Sequence, residues 1–462
     1  MTARNRIVIM GVISSFLYAV LAFIAYYYQT SATTPWGFSF KAILLATNLL
    51  LIVAYWFAFI SIKSVNEKSI IKIIFLFSSV FSLIMLFTPP IGSADVYNYA
   101  YRARVGTVYD ENPYVVPTGA YSDDMFYNFS PKEWNYLTMQ YGPFWTSVSI
   151  LFSNIAKNNL FWNVFIYKLL ALVSFFGVAI LIRKILQKFN PDNEVKGLFL
   201  YLWSPIIIFE AINNAHNDMF MMFAVIFAIY LLIKKWYVLA AITLLLSILT
   251  KYIPLLILPV FIYYVFKEVH ETKKRLNFVW ATGILAVIIS TLFYFPFWEG
   301  TRTLNGLFEQ SKIFTFANFS LFPGIIYWVL YVIGQSFSWT REFLSDIARV
   351  SGLTAFVVLY IWLIKNYFKG KYTDYIYYSF MILFVYIFFY LTYLQPWYFI
   401  WLISLAVLID RKYFPQFIFI CTLAGLLSYT IVMNSLIYVF IFLFIILVSL
   451  ITNKNYLLKF LK

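Results

Sequence analysis

This chain of 462 residues has one cysteine, two histidines and few charges. Cys421 lies inside an apolar run, so an intrachain disulfide is impossible and cysteine says nothing about redox compartment. Charged residues make up 11% and apolar ones 63%, whereas soluble globular chains have roughly 25% and about 45–50%. No zinc-ligand spacing, P-loop, dinucleotide fingerprint or nucleophile elbow is present, which removes ATP-driven transport and the usual hydrolase chemistries. Acidic residues number only 19 against 34 Lys and Arg. That excess falls in short runs between hydrophobic segments, so it signals membrane topology and not nucleic-acid binding.

What remains is a polytopic membrane protein. The first hydrophobic stretch, Ile7 to Tyr28, follows Arg4 and Arg6 but is too long for a signal-peptide core and has no small-residue cleavage site after it, so it reads as a retained span. Runs suited to a hydrocarbon core of roughly 30 Å lie near 7–28, 39–61, 71–90, 160–182, 197–213, 217–233, 236–250, 252–266, 277–297, 350–366, 373–394, 397–409, 414–432 and 435–451. The fold expected is all-α: a transmembrane helical bundle of about 11–15 spans, forming one membrane domain over 1–462 with no second soluble domain. The basic clusters at Lys63/Lys68/Lys72, Arg183/Lys184/Lys188, Lys234/Lys235, Lys267/Lys273/Lys274/Arg275, Lys365/Lys369/Lys371, Arg411/Lys412 and Lys454/Lys459/Lys462 should all be cytoplasmic. They agree only if the apolar pieces 143–156 and 320–337 are re-entrant or interfacial. Residues 91–140, 214–217, 298–320 and 395–397 then face the other side. The 91–140 loop follows the third span and is too long for a mere connector.

Two polar islands interrupt the apolar sequence. In the first, Asp95, Tyr99 and Arg102 share one face if the segment is helical, an arrangement suited to a carboxylate base beside an anion site. An Asp that merely caps a helix explains the spacing equally well. The second runs from Glu210 to Asp218 and holds His216 between two acids, where ionisable groups at membrane depth are costly without a role. Asn217 or Asp218 as an N-cap is its structural alternative, and a helix start can also bind an anion. Lys251, in Thr250-Lys251-Tyr252, can meet phosphate or simply snorkel. Gln395-Pro396-Trp397-Tyr398 suits sugar stacking or an aromatic belt. Asn112-Pro113-Tyr114 and Tyr141-Gly142-Pro143 are turn signals that are weak alone, and His270 sits in a basic connector with no role.

In order, these motifs match a family. The run Asp95-Val-Tyr-Asn-Tyr, then Asn112-Pro-Tyr, Tyr141-Gly-Pro, Trp203-Ser-Pro with Glu210, His216-Asn-Asp, Lys251-Tyr and Gln395-Pro-Trp-Tyr resembles the polyprenol-phosphate-mannose-dependent α-1,6-mannosyltransferases of the GT-C class, over roughly residues 70–410. The resemblance implies a GT-C membrane fold in the plasma membrane with its site on the extracytoplasmic side. It also implies a polyprenyl-phosphate sugar donor, a glycan or glycolipid acceptor, a hexose that is mannose by the family's habit, and inversion at the anomeric carbon. On that reading Asp95 takes the acceptor proton, and Arg102, Arg104, His216, Asn217, Asp218, Lys251 and Tyr252 surround the donor phosphate and sugar. Tyr99, Asn112, Tyr114, Tyr141, Glu210, Gln395, Trp397 and Tyr398 would then contact sugar or acceptor. Phosphate is already a good leaving group, so no metal or other cofactor is expected, although Asp95 or Asp218 are side chains able to hold one. The rival readings are a transporter or flippase of a lipid-linked substrate, and a glycan polymerase or ligase using a diphosphate-linked oligosaccharide. Charged islands clustered at one membrane face beside a long external loop favour an enzyme over a transporter.

Overall fold

The computed structural model describes residues 2–30, 38–63, 69–311, 320–334, 339–391 and 393–430. The expected span at 435–451, the C-terminal basic cluster and residues 335–337 lie outside them. Every regular element among the described residues is helical, as the unbroken apolar runs demand. In hydrocarbon a lone segment satisfies its backbone N–H and C=O groups only by bonding within itself.

The chain opens with α1 (Ala3–Thr30), α2 (Phe38–Lys63) and α3 (Ser69–Phe87), and α1 packs on both of its followers. A polar excursion carries α4 (Asp95–Thr107) and α5 (Pro143–Ala156), and α6 (Leu160–Phe189) re-enters the bundle, its first turn capped by the Asn159 side chain on Trp162 N at 3.0 Å. Next come α7 (Glu194–Leu202), a single turn α8 (Pro205–Ile207) that opens into a π-helical turn over Ile208–Asn213, and the hairpin of α9 (Asp218–Ile233) and α10 (Tyr237–Ile248). The second half consists of α11 (Leu258–Glu268), α12 (Thr272–Tyr294), α13 (Asn305–Ser311), α14 (Leu321–Gly334), α15 (Arg341–Lys369), α16 (Tyr375–Val385) with a second π turn over Tyr386–Tyr390, α17 (Phe399–Ala406) and α18 (Phe414–Leu427).

Seven of the described helices are long and apolar enough to cross a membrane, or eight if the pair on either side of Ser204, bent by 47°, counts as one. This is a multi-pass helical membrane protein. Five further apolar helices, including α9, α10, α14 and α18, are shorter than the ~20 residues that a span needs. The difference from the larger number of spans expected lies in α9, α10, α17 and α18, in 252–266, and in 435–451 outside the described residues. Residues 236–250 and 252–266 form α10, a 3₁₀ turn and α11, not two full spans, because Pro254 and Pro259 interrupt the ladder. Both α5 and α14 have 14 residues, about 21 Å of helix.

The long loop is a folded cap. Arg102 donates to the carbonyls of Leu137 (2.7 Å) and Trp134 (3.2 Å), Tyr101 OH bonds the carbonyls of Thr118 and Tyr121, and Arg104 pairs with Asp124 at 2.9 Å. Around α4, these contacts fold residues 108–142 back onto one end of the bundle. At that end α3 and α10 finish, α4, α9 and α17 begin, and the second π turn closes α16.

Candidate functional site

A cavity of about 490 Å3 opens at this end. Asp95, the first residue of α4, lines it with Tyr141, Lys251, Tyr252, Trp397, Tyr398 and Trp401. The loop that delivers Asp95 is pinned from below: Ile91 N donates to the side-chain oxygens of Asn213 (2.8 Å) and Asn214 (3.1 Å), and Asn213 Nδ2 returns to the carbonyls of Thr88 and Pro89. Lys168, buried in α6, donates from Nζ to the carbonyls of Met85 and Thr88 at the C-terminal end of α3. Gly92 has φ of +90° and lies so close to the Tyr429 ring that any Cβ would overlap it. Here glycine answers both a left-handed backbone and a close approach.

Lys251 follows α10 and enters the site beside Tyr141. Gly142 N donates to Thr250 O at 3.0 Å, and a Cβ at Gly142 would collide with the Leu249 carbonyl, so the Tyr-Gly-Pro turn lies directly on the backbone that carries Lys251. Lys251 Nζ contacts both oxygens of Asp218, at 2.8 and 3.0 Å, and lies 5.2 and 5.4 Å from the ring centroids of Tyr398 and Trp401. Trp401 Nε1 donates to Asp218 Oδ1 at 2.6 Å. Asp218 is thereby saturated, and the ammonium is held in an aromatic frame with one side open to the cavity.

Behind Asp95 stands His216, its Nδ1 3.6 Å from Asp95 Oδ2 and its Nε2 3.3 Å from Glu210 Oε2. Trp397 stacks on the imidazole at 3.9 Å. Burial pushes the Asp95 carboxyl above its ordinary range, while His216 and Lys251 pull it back down. The result is a carboxylate whose affinity for a proton is raised without losing its charge partners.

Several expectations are corrected by this geometry. Arg102 and Arg104 do not reach the cavity. Arg102 bonds Asn98 and two loop carbonyls, and Arg104 bonds Asp124 and Asn158, so both guanidiniums are engaged within the cap. His216 is sealed from the cavity with its ring edge toward the two carboxylates. Tyr99 packs against Tyr141, Trp145 and Tyr167 in the core. Asn112 bonds Phe297 O and Glu299, and Tyr114 bonds Tyr141 O and Thr146, so this turn props Tyr141 and touches no cavity surface. Glu210, Asn217 and Gln395 are buried and also absent from the lining. Neither Asn217 nor Asp218 caps α9 through its side chain. Among the described residues no group of three or more His, Cys, Asp and Glu side chains is placed to hold a metal ion.

The sequence reading missed Trp134, Arg349 and Trp401 in the lining. Trp401 lies one helical turn beyond Trp397, a spacing that puts both on one face. Arg349 is a cation in the N-terminal third of α15, away from the basic cluster at Lys365/Lys369, a departure from the charge bias that was visible in the sequence.

The fold and site define a polytopic helical membrane protein with a charged, aromatic-walled cavity at one end of its bundle. The chain belongs to the family described as "Alpha-(1->6)-mannopyranosyltransferase, N-terminal domain", whose model matches residues 7–267. That stretch contains Asp95, Glu210, His216, Asp218 and Lys251. The chain is also similar to Alpha-(1->6)-mannopyranosyltransferase A of Corynebacterium glutamicum, with 25% identity over 155 residues, 33% of this chain and 31% of that protein. The match spans about a third of the relative's length.

Proposed function

We propose that this chain is a GT-C type glycosyltransferase that moves mannose from a polyprenyl-phosphate donor to a hydroxyl of a glycan or glycolipid acceptor, in an α-1,6 linkage, at the extracytoplasmic face of the plasma membrane. One observation carries the reading: Asp95 and Lys251 line one aromatic-walled cavity at the end of a membrane bundle. Asp95 takes the proton of the acceptor hydroxyl as that oxygen bonds to the anomeric carbon. The bond from that carbon to the donor phosphate oxygen breaks, and its electron pair leaves with the phosphate. Lys251 meets the growing negative charge there, and Tyr141, Trp397 and Tyr398 offer ring faces to the sugars. Single displacement inverts the anomeric carbon, so an α product requires a β-linked donor. An ammonium at the phosphate and a good leaving group supply what the step needs without a divalent metal.

Helix direction supports the choice of face. From the cavity α9 runs to Lys234/Lys235 and α17 toward Arg411/Lys412, so these basic clusters lie at the other end of the bundle. A cavity enclosed by a folded external cap favours an enzyme over a lipid flippase.

The test is transfer of radiolabelled hexose from short-chain polyprenyl-phosphate-mannose and polyprenyl-phosphate-glucose in sealed right-side-out vesicles, with wild type and Asp95→Asn. The expected result is mannose transfer by wild type from externally added donor and its loss in a folded variant. Transfer from neither donor would refute the donor class, a requirement for opened vesicles would refute the face, and an active Asp95→Asn would refute the base.

A further inference from the structure

Glu210 does not line the cavity and its side chain is sealed from solvent, yet it is an acid among apolar helices. It lies in the π turn Ile208–Asn213 and is held by two donors, Tyr429 OH on Oε1 at 2.6 Å and Asn214 Nδ2 on Oε2 at 3.1 Å. The backbone then doubles back. Asn214 N reaches Phe209 O, Ala215 takes φ of +54°, and His216 N bonds Glu210 O at 3.1 Å. A left-handed backbone at a residue with a Cβ is strained, and such strain persists where the surroundings enforce it. Its effect is to return the His216 ring over Glu210, with Nε2 3.3 Å from Oε2. Trp397 covers the face of the ring, so the remaining edge, Nδ1, points to Asp95 Oδ2 at 3.6 Å.

We propose that Glu210 is a positioning residue for glycosyl transfer that acts on Asp95 only through His216. Neither ring nitrogen makes a hydrogen bond, so a carboxylate 3.3 Å from Nε2 sets the rotation of a ring that Trp397 already confines, which aims Nδ1 at one oxygen of Asp95. Oδ2 then faces the ring edge at 3.6 Å, and Oδ1 takes the acceptor proton. The Tyr429 ring that anchors Glu210 also lies against Gly92, in the loop that delivers Asp95, so anchor and base are registered to each other by one side chain. The inference rests on the reading of Asp95 as base.

The experiment is a double-mutant cycle in steady-state transfer with polyprenyl-phosphate-mannose, using wild type, Glu210→Gln, His216→Gln and the pair, each checked by thermal melting. Each single variant is expected to lose about tenfold or more in kcat with donor and acceptor KM within about twofold of wild type. The pair should be no worse than His216→Gln alone, because Glu210 has no route to Asp95 once the ring is gone. Full kcat in Glu210→Gln, or a pair whose loss is the product of the two single losses, would overturn the proposal. If Glu210→Gln does not fold, Tyr429→Phe removes one of its two donors and keeps the ring. A smaller kcat loss that vanishes in the His216→Gln background is then expected, and an unchanged kcat overturns the proposal. An active Asp95→Asn would instead defeat the base reading itself, whereas an inactive Asp95→Asn beside a fully active Glu210→Gln would defeat only the positioning role.

Discussion

Asp95 and Asp218 are each the first residue of a helix, α4 and α9, and each stands beside a basic side chain, His216 for one and Lys251 for the other. Their environments diverge from there. The Asp218 side chain is fully sealed and receives hydrogen bonds from Lys251 on both oxygens and from Trp401. Asp95 keeps 17% of its side chain exposed and meets its histidine only at 3.6 Å. Two carboxylates at the same helical position therefore differ in what the protein leaves free, because Asp218 has both oxygens engaged by protein donors and Asp95, the proposed base, faces the cavity. On the proposed mechanism, the number of donors already engaged decides which of the two can act as a base.

The contrast can be broken most severely at Asp95. Asp95→Asn keeps the shape and removes the basic oxygen, and transfer should fall by about 10²–10⁴-fold with an unchanged melting temperature. Asp218→Asn should do nearly the reverse. It removes the charge that anchors Lys251, so stability should drop by ~1–3 kcal/mol and donor KM should rise while kcat changes less. A large kcat loss at unchanged stability would erase the distinction between the two acids.

Acidity offers a second test at Asp95. Burial raises the proton affinity of Asp95, and His216 is the first of the cations that offset it. A base whose carboxyl titrates high loses function earlier on acidification, so kcat/KM should decline through a limb above the ordinary carboxylate value of about 4. His216→Gln removes an opposing cation and should move that limb to still higher pH. A limb at or below the ordinary value would mean that Asp95 is not the titrating base. The smallest effect is expected at Trp401. Trp401→Phe takes one hydrogen bond from Asp218 but keeps a ring near Lys251, for a cost of ~1 kcal/mol and a modest rise in donor KM. An unchanged KM would show that Asp218 holds the lysine without it.

Much of the site was legible as departures from an apolar background. Asp95, Tyr141, Lys251, Trp397 and Tyr398 stand out because a membrane chain of this composition has few polar residues to choose among. The arginines of α4 were misread for a physical reason. A guanidinium binds phosphate and peptide carbonyls with the same donors, and nothing local distinguishes Arg102 bound to Leu137 O from Arg102 facing a ligand. His216 was placed at the phosphate on its residue type, yet its neighbours are the carboxylates of Asp95 and Glu210, a relation set by the left-handed turn at Ala215. The tight turns at Gly92 and Gly142 acquire meaning only from Tyr429 and Leu249, which close the space a side chain would need.

The apolar runs by themselves determine a helical membrane bundle, because a lone segment in lipid has no other way to satisfy its backbone, and the polar islands determine where chemistry is affordable. Which carboxylate faces the cavity is a tertiary decision. Asp218 is sealed by Lys251, 33 residues away, and by Trp401, 183 residues away, whereas Asp95 is left facing a cavity assembled from helix ends that no local spacing joins.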